Sequence, residues 1–321
     1  MSTSSSDLSS SLSDFIGLDS VSRHTLRHLL DEARRMKSQY EEMDGHPHPP
    51  LGDRTLGMVF QKPSTRTRVS FETGMTQLGG HAVYLSENDI QLRRGETVAD
   101  TARALSGYVD GIMARVHDHG DVLELAEHAD VPVINGLSDY NHPCQALADF
   151  FTIQEVKGDL DEVDIAWVGD GNNVCHSLLH ASSKLGSNIR VATPEGLEPD
   201  SETVENSRSF AEESGSEVLL THDPSEAVND ADVIYTDAWV SMGDDNREEK
   251  LEKFDGFQVN SDLLGDADDS YVFMHCLPAH RGEEVTDEVM DGDHSVIWRQ
   301  AENRMHVQKS VLKRLLLKQK G

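Results

Sequence analysis

The sequence predicts an α/β protein of two domains, each a mainly parallel sheet flanked by helices. Three observations lead there. The chain has 321 residues, long for a single hydrophobic core. Short apolar runs of strand type alternate with helix-period segments along most of it, which is the pattern of βαβ units. No internal repeat is present, and periodic apolar segments recur from Phe15 to Leu317, which argues for a folded core in spite of the high charge.

Taken in order, Thr55–Gln61, His81–Leu85, Gly111–Val116 and Pro132–Leu137 read as strands of the first half. A helix begins near Thr65, carries Phe71, Met75 and Leu78 at i, i+4 and i+7, and stops at Gly79 and Gly80. Thr97–Val109 and Asp121–Ala129 read as further helices. In the second half Asp164–Asp170, Asn188–Thr193, Glu217–Thr221, Asp232–Ala238, Tyr271–Cys276 and Ser295–Arg299 read as strands, and Asn173–Leu185 and Glu202–Ser214 as helices. Gly158–Glu162 and Gly243–Glu249 read as loops. A helix near Gln145–Val156 is expected to join the halves. An amphipathic helix at about Glu302–Lys318 is expected to return to the first one. The domains expected are therefore 1–148, with the C-terminal helix 302–321 packed back on it, and 149–301.

Composition narrows the function. There are 58 acidic against 28 basic side chains, a formal charge of -30. A field of that sign repels nucleic acid and anionic lipid, so small-molecule partners are expected, with no nucleic acid and no membrane. No apolar run approaches the ~20 residues that span a bilayer. The charge also fits a halophilic habitat, since at 1 M salt the screening length shrinks to about 3 Å and self-repulsion fades. Three cysteines, Cys144, Cys175 and Cys276, make no disulfide framework, and the N-terminus lacks the basic region of a secretory signal; both point to a reduced, cytoplasmic protein.

Five segments carry chemistry. Lys62-Pro63-Ser64-Thr65-Arg66-Thr67-Arg68 follows a strand and opens a helix, where free N–H groups, hydroxyls and the fork of Arg66 suit an anion such as phosphate. The other reading is an ordinary capped helix with solvated arginines, though two arginines in a first turn oppose the helix dipole unless an anion is present. It is not a Walker loop, because no GxxxxGK[ST] occurs. His142-Pro143-Cys144-Gln145 opens another helix; its His can donate to a carbonyl oxygen and Gln145 can meet a flat amide-like group, or the turn is simply a helix start with Pro at N1. Met274 to Gly282, with Cys276, leaves a strand end, where ligands bind in open α/β sheets; the alternative is a buried structural thiol. Asp237-Ala238-Trp239-Val240-Ser241-Met242-Gly243 offers Asp237 to an ammonium, or is an acidic loop in an acidic protein. Gly169-Asp170-Gly171-Asn172-Asn173-Val174 resembles half a dinucleotide fingerprint but fails its glycine spacing. A Cys/His metal site from His142, Cys144, His275, Cys276 and His280 lacks any close cysteine pair and spans two distant clusters, so no metal is expected.

Together, the Ser64–Arg68, His142–Gln145, Asp237–Gly243 and His275–Pro278 segments resemble the aspartate/ornithine carbamoyltransferase family, in their identity and in their order along nearly the whole chain. The last two are similar to the ornithine branch. The resemblance implies transfer of a carbamoyl group from carbamoyl phosphate to the side-chain amine of ornithine, in arginine metabolism, without a cofactor. It implies a homotrimer, or a multiple of one, with shared active sites. By family position Ser64, Thr65, Arg66 and Thr67 bind the phosphate, Arg115, His142 and Gln145 contact the carbamoyl end, and Pro143 and Cys144 lie beside them. Gln91 belongs to a loop lent by a neighbouring subunit. Asn173, Asp237, Ser241 and Met242 hold ornithine, Cys276 and Leu277 line the reacting amine, and Arg304 completes the anion site. The catalytic set implied is Arg66, Arg115, His142 and Cys276. One departure is Arg93-Arg94, where the family more often has Gly-Arg.

Overall fold

A computed structural model describes residues 12–91, 95–240 and 247–317. Two all-parallel sheets account for the described strands. The first joins β1 (Thr55–Phe60), β2 (His81–Ser86), β3 (Gly111–Arg115) and β4 (Val133–Leu137) in the order β2-β1-β3-β4. The second joins β5 (Asp164–Val168), β6 (Asn188–Ala192), β7 (Val218–Thr221), β8 (Val233–Thr236) and β9 (Val272–His275) in the order β7-β6-β5-β8-β9. Parallel neighbours need crossovers, and helices supply them. These are α2 (Thr65–Gln77), α3 (Val98–Ser106) and α4 (His119–His128) in the first half. In the second they are α6 (Asn173–Leu185), α7 (Ser201–Ser214), α8 (Pro224–Val228) and α9 (Arg247–Glu252), with α10 (Asp287–Met290) after β9. Central strands covered on both faces read as continuous apolar runs; every residue of β3 is buried.

Three long helices tie the halves together. α1 (Arg23–Met43), α5 (Pro143–Val156) and α11 (Ile297–Leu316) pack on one another, and α11 also packs on α2 and touches β9. α5 is buried without interruption from Pro143 to Ile153, too apolar all round for a surface helix. α6 ends at Gly186, whose φ of +98° is the left-handed C-cap that glycine adopts without a Cβ clash.

The structure corrects the sequence reading in four places. Ser295–Arg299 is not a strand. Ser295 makes one isolated bridge to Phe273, and the chain is helical from Ile297. A short apolar run of this kind has no periodicity that separates strand from buried helix. α11 consequently starts five residues earlier than Glu302. The loop reading of 158–162 gives way to a 3-10 turn at Leu160–Glu162, and that of 243–249 to α9 from Arg247, with 243–246 outside the described residues. α1, 21 residues long, has no counterpart in the sequence reading; its N-cap is Ser22, whose side chain accepts from the Thr25 N–H.

Candidate active site

Each chemistry-bearing segment follows the carboxyl end of a strand. Ser64–Arg68 follows β1, Arg115 ends β3, and His142 follows β4. In the second sheet, Gly169–Asn173 follows β5, Asp237 follows β8 and Cys276 follows β9. Both sheets reverse their order between neighbouring strands, at β1/β3 and at β5/β8, and it is there that an open α/β sheet leaves a crevice.

The first cluster is cationic. Ser64 caps α2 from an extended backbone, and its Oγ accepts the N–H of Thr67 at 3.3 Å. The amides of Thr65 and Arg66 have no intrahelical partner, so the helix start offers donors and a positive dipole end. Arg304 reaches in from α11, 4 % exposed. It donates from Nη2 to Thr67 Oγ1 at 3.0 Å and from Nη1 to Gln145 Oε1 at 2.8 Å. Arg115 is 9 % exposed and its buried Nε has no partner. Burial first, then the fields of Arg304 and Arg66, bring the Arg115 guanidinium down to about 10. It stays charged at neutral pH, so the like charges of Arg66, Arg115 and Arg304 are held together against their own repulsion.

His142, at the N-cap of α5, is 4 % exposed. Its backbone N–H donates to Ser177 Oγ at 2.7 Å, and its Nδ1 is buried without a partner. Burial, reinforced by Arg304, Arg115 and Arg66, holds the imidazole well below its ordinary value, so it is neutral at pH 7. A neutral imidazole can still donate one N–H. Pro143 occupies the first helical turn, where a missing N–H costs nothing.

The second cluster is acidic and weakly polar. Asn172 caps α6, its Oδ1 accepting from Val174 and Cys175, while its Nδ2 donates to Asp237 Oδ2 at 3.3 Å. Asn173 donates to the Ser138 carbonyl at 2.6 Å, which ties the second-half loop to the chain just after β4. The Cys276 thiol donates to Asp237 Oδ1 at 2.9 Å. Burial first, and then the Asp237 carboxylate, push that thiol well above its ordinary value, so Cys276 is a neutral donor rather than a thiolate. Leu277 follows at φ +62°, an uncommon backbone for a branched side chain, held as its N–H donates to His275 Nδ1 at 2.8 Å. Arg115 and Arg304 both feel the charge that Cys276 would carry, which puts the β9 loop beside the cationic cluster.

Not every expected residue joins. The Cys144 thiol is turned into the core and donates to the Asn135 carbonyl at 3.6 Å. Gln91 is exposed beyond β2, the edge strand; its carbonyl accepts from Glu96, and its side chain meets no other site residue among those described. Ser241 and Met242 lie outside the described residues, as do Arg93 and Arg94. The five-residue metal set divides. Among the described residues, the ligand atoms of Asp237, His275 and Cys276 lie within 4.8 Å of one another, without His142 or Cys144. The donors of that trio are engaged internally: His275 Nδ1 accepts from Leu277 and Nε2 meets Glu284 Oε1 at 3.3 Å.

Sequence reasoning missed the role of Asn172 and the buried Asp149 that accepts from Gln145. The Asn172 signal was present in the sequence, an Asn directly before a helix-period run. Gly171 beside it is needed for packing, because a Cβ there would meet the Glu198–Pro199 backbone at 2.3 Å.

Comparison with known proteins matches residues 13–155 to the carbamoyl-P binding domain, and residues 161–315 to the Asp/Orn binding domain, of aspartate/ornithine carbamoyltransferase. An ornithine carbamoyltransferase of Pyrococcus horikoshii is 62% identical over 273 residues, 85% of this chain and 86% of the relative. An anabolic ornithine carbamoyltransferase of Pyrococcus furiosus is 62% identical over 269 residues, 84% of this chain and 85% of the relative. The solved structure of ornithine carbamoyltransferase from Pyrococcus furiosus is similar at a TM-score of 0.93 with 55% identity, covering 97% of this chain and 100% of that one.

Proposed function

We infer the work of each residue from one premise: this chain belongs to the aspartate/ornithine carbamoyltransferase family. Its reaction is that of an ornithine carbamoyltransferase. It transfers the carbamoyl group of carbamoyl phosphate to the side-chain amine of L-ornithine, giving L-citrulline and phosphate, in arginine metabolism. The observation that carries the residue roles is the cationic cluster of Arg66, Arg115 and Arg304 at the start of α2, facing the neutral thiol–carboxylate pair Cys276–Asp237.

In this reading the phosphate dianion sits on the α2 N-terminus, held by Ser64, Thr65, Thr67 and Arg66, with Arg304 completing the anion site. Its charge relieves the repulsion among the guanidiniums. Arg115 and the neutral His142 aim at the carbamoyl oxygen, and Gln145 meets the carbamoyl amide. Pro143 and the backbone at Cys144 and Leu277 line the same space. Asn173 and Asp237 hold the α-amino acid end of ornithine, together with Ser241 and Met242 by motif.

The ornithine amine must be unprotonated to attack, against an ordinary pKa of about 10. A site walled by Cys276 and apolar chain disfavours the ammonium by desolvation. The amine nitrogen bonds to the carbamoyl carbon, and the carbonyl oxygen becomes an oxyanion that Arg115 and His142 stabilise. One such donor is typically worth about 3 kcal/mol. The carbon–oxygen bond to phosphate then breaks, the phosphate taking the bond's electron pair and, in our reading, the proton of the attacking amine. Side-by-side binding supplies the proximity term.

The domain division proposed is 1–148 with 302–321 for carbamoyl phosphate and 149–301 for ornithine; it falls inside α5, which runs unbroken from Pro143 to Val156. The assembly proposed is a homotrimer or a multiple of one, with the Gln91 loop serving a neighbouring site. The compartment proposed is the cytoplasm, of a halophilic cell, on the strength of the -30 charge. No helix among the described residues is long and apolar enough to cross a membrane.

The test is direct. Protein incubated in high salt with carbamoyl phosphate and a panel of ornithine, putrescine and an acylated ornithine should form citrulline and phosphate in equal amounts, with ornithine far preferred. A preference for putrescine would show that Asp237 does not read an α-amino acid end.

A further inference from the structure

A buried polar chain joins the two clusters, and its centre is a carboxylate to which the roles above give no part. Asp149 lies four residues after Gln145 on α5, so both leave the same helix face. It is fully buried. Its Oδ1 accepts from Gln145 Nε2 at 2.7 Å and from Gln300 Nε2 at 2.8 Å, and its Oδ2 accepts from the Tyr235 hydroxyl at 3.1 Å. Gln145 passes the connection to Arg304, and Arg304 passes it to Thr67 in the phosphate helix. On the other side, Gln300 Oε1 accepts the N–H of His275 at 3.0 Å, one residue before Cys276.

The identity of the central group matters. A glutamine amide can turn over and exchange its oxygen for its nitrogen, because the two ends have the same shape. The carboxyl oxygen Oδ1 only accepts, whether or not Oδ2 carries a proton, so it draws the NH₂ ends of both Gln145 and Gln300 toward itself. Their oxygens are then fixed outward, one toward Arg304 and one toward the His275 N–H. A glutamine left without that acceptor is free to turn, and a turned Gln145 would set its NH₂ against the Arg304 guanidinium. An Asn keeps one oxygen where both glutamines converge, whereas Leu, close in size, keeps none. The arrangement is costly to keep: burial pushes the Asp149 carboxyl up to about 7, against the pull of the Gln145, Gln300 and Tyr235 donors. A packing role alone would be met by an apolar residue of similar size.

We propose that Asp149 is a positioning residue for carbamoyl transfer, setting through Gln145 the aim of Arg304 and through Gln300 the backbone that carries Cys276. This rests on the carbamoyl-transfer reading of the cleft. Asp149 acts through Gln145 at the carbamoyl amide and through Arg304 on the leaving phosphate, whose charge grows in the transition state, so its loss falls on kcat more than on either KM.

The experiment compares wild type, Asp149→Leu, Asp149→Asn, Tyr235→Phe and Gln300→Ala for kcat, both KM values and thermal midpoint. Asp149→Leu should lower kcat by roughly 10- to 100-fold, the range for a buried hydrogen bond to a charged group, while both KM values stay within about threefold. Asp149→Asn keeps the shared oxygen and should recover most of that loss, to within about fivefold of wild type. Tyr235→Phe removes one acceptor from Gln300 Nε2 but leaves both glutamines on Asp149 Oδ1, so it should cost less than Asp149→Leu, about fivefold or below in kcat. Gln300→Ala removes the branch to His275, with its donor to Asp149 and Tyr235, and leaves Gln145 on Asp149, so it should impair ornithine use and leave carbamoyl phosphate KM unchanged. Wild-type kcat in a folded Asp149→Leu protein would overturn the proposal, as would losses shared equally by kcat and both KM values. If Asp149→Leu does not fold, unaltered ornithine kinetics in Gln300→Ala would overturn it instead. Wild type itself failing to make citrulline would sink the underlying reading, and that control is read first.

Discussion

The two sheets present ligand groups from the same topological place by opposite means. The first uses fixed positive charge: a capped helix start, Arg66, and the buried Arg115 and Arg304, the last held by Thr67 of α2 and Gln145 of α5. The second uses groups that carry little charge or share it: a protonated thiol donating to a carboxylate, and amides on the α6 cap. A doubly charged leaving group needs cations that are already assembled, because gathering them during the reaction would cost reorganisation. An amine nucleophile needs the reverse, surroundings that do not stabilise its protonated form.

The largest effect should come from breaking the charged side. Arg115→Ala and Arg66→Ala should each reduce kcat/KM by about 100- to 1000-fold, as loss of a donor to developing charge does elsewhere. The thermal midpoint should hold or rise, since each change also relieves repulsion among the guanidiniums. Near wild-type kinetics in either variant would remove the asymmetry between the sheets.

On the weakly polar side the expected cost is smaller. Cys276→Ser keeps a donor toward Asp237 but is a smaller, more hydrated group, and it should lower kcat/KM for ornithine by about tenfold with carbamoyl phosphate binding little changed. Isothermal titration with carbamoyl phosphate alone, beside steady-state kinetics, separates the two. Equal losses for both ligands would make Cys276 a scaffold residue.

Salt should separate surface from site by the smallest effect. The surface self-repulsion behind a charge of -30 is screened by salt, so the thermal midpoint should climb from dilute buffer toward 1 M salt, where the screening length is about 3 Å. Arg115 and Arg304 are buried and less screened, so carbamoyl phosphate KM should rise by only a few fold over the same range. A midpoint that fell with added salt would contradict the halophilic reading.

Residues near a strand end and a helix start were legible in the sequence because the local pattern carries them. Ser64, Arg66, His142, Asn173, Asp237 and Cys276 all follow runs whose periodicity marks where a strand stops. Asp149 was not legible, although it lies in a recognised helix. An acid at i+4 from a glutamine reads as ordinary helix surface until the helix is known to be buried all round. Gln300 was hidden by the strand reading of Ser295–Arg299. Cys144 shows the opposite case: the motif named it, and its thiol points into the core.

The sequence by itself determined the α/β class, the parallel alternation and the family, since these follow from periodicity and from short motifs whose chemistry is local. Only the tertiary structure decided which groups are neutral and which are charged. Whether Cys276 keeps its proton, how far Arg115 is pulled down and what Asp149 holds all depend on burial and on neighbours far away in the chain, and desolvation is a property of the packed molecule that no local window contains.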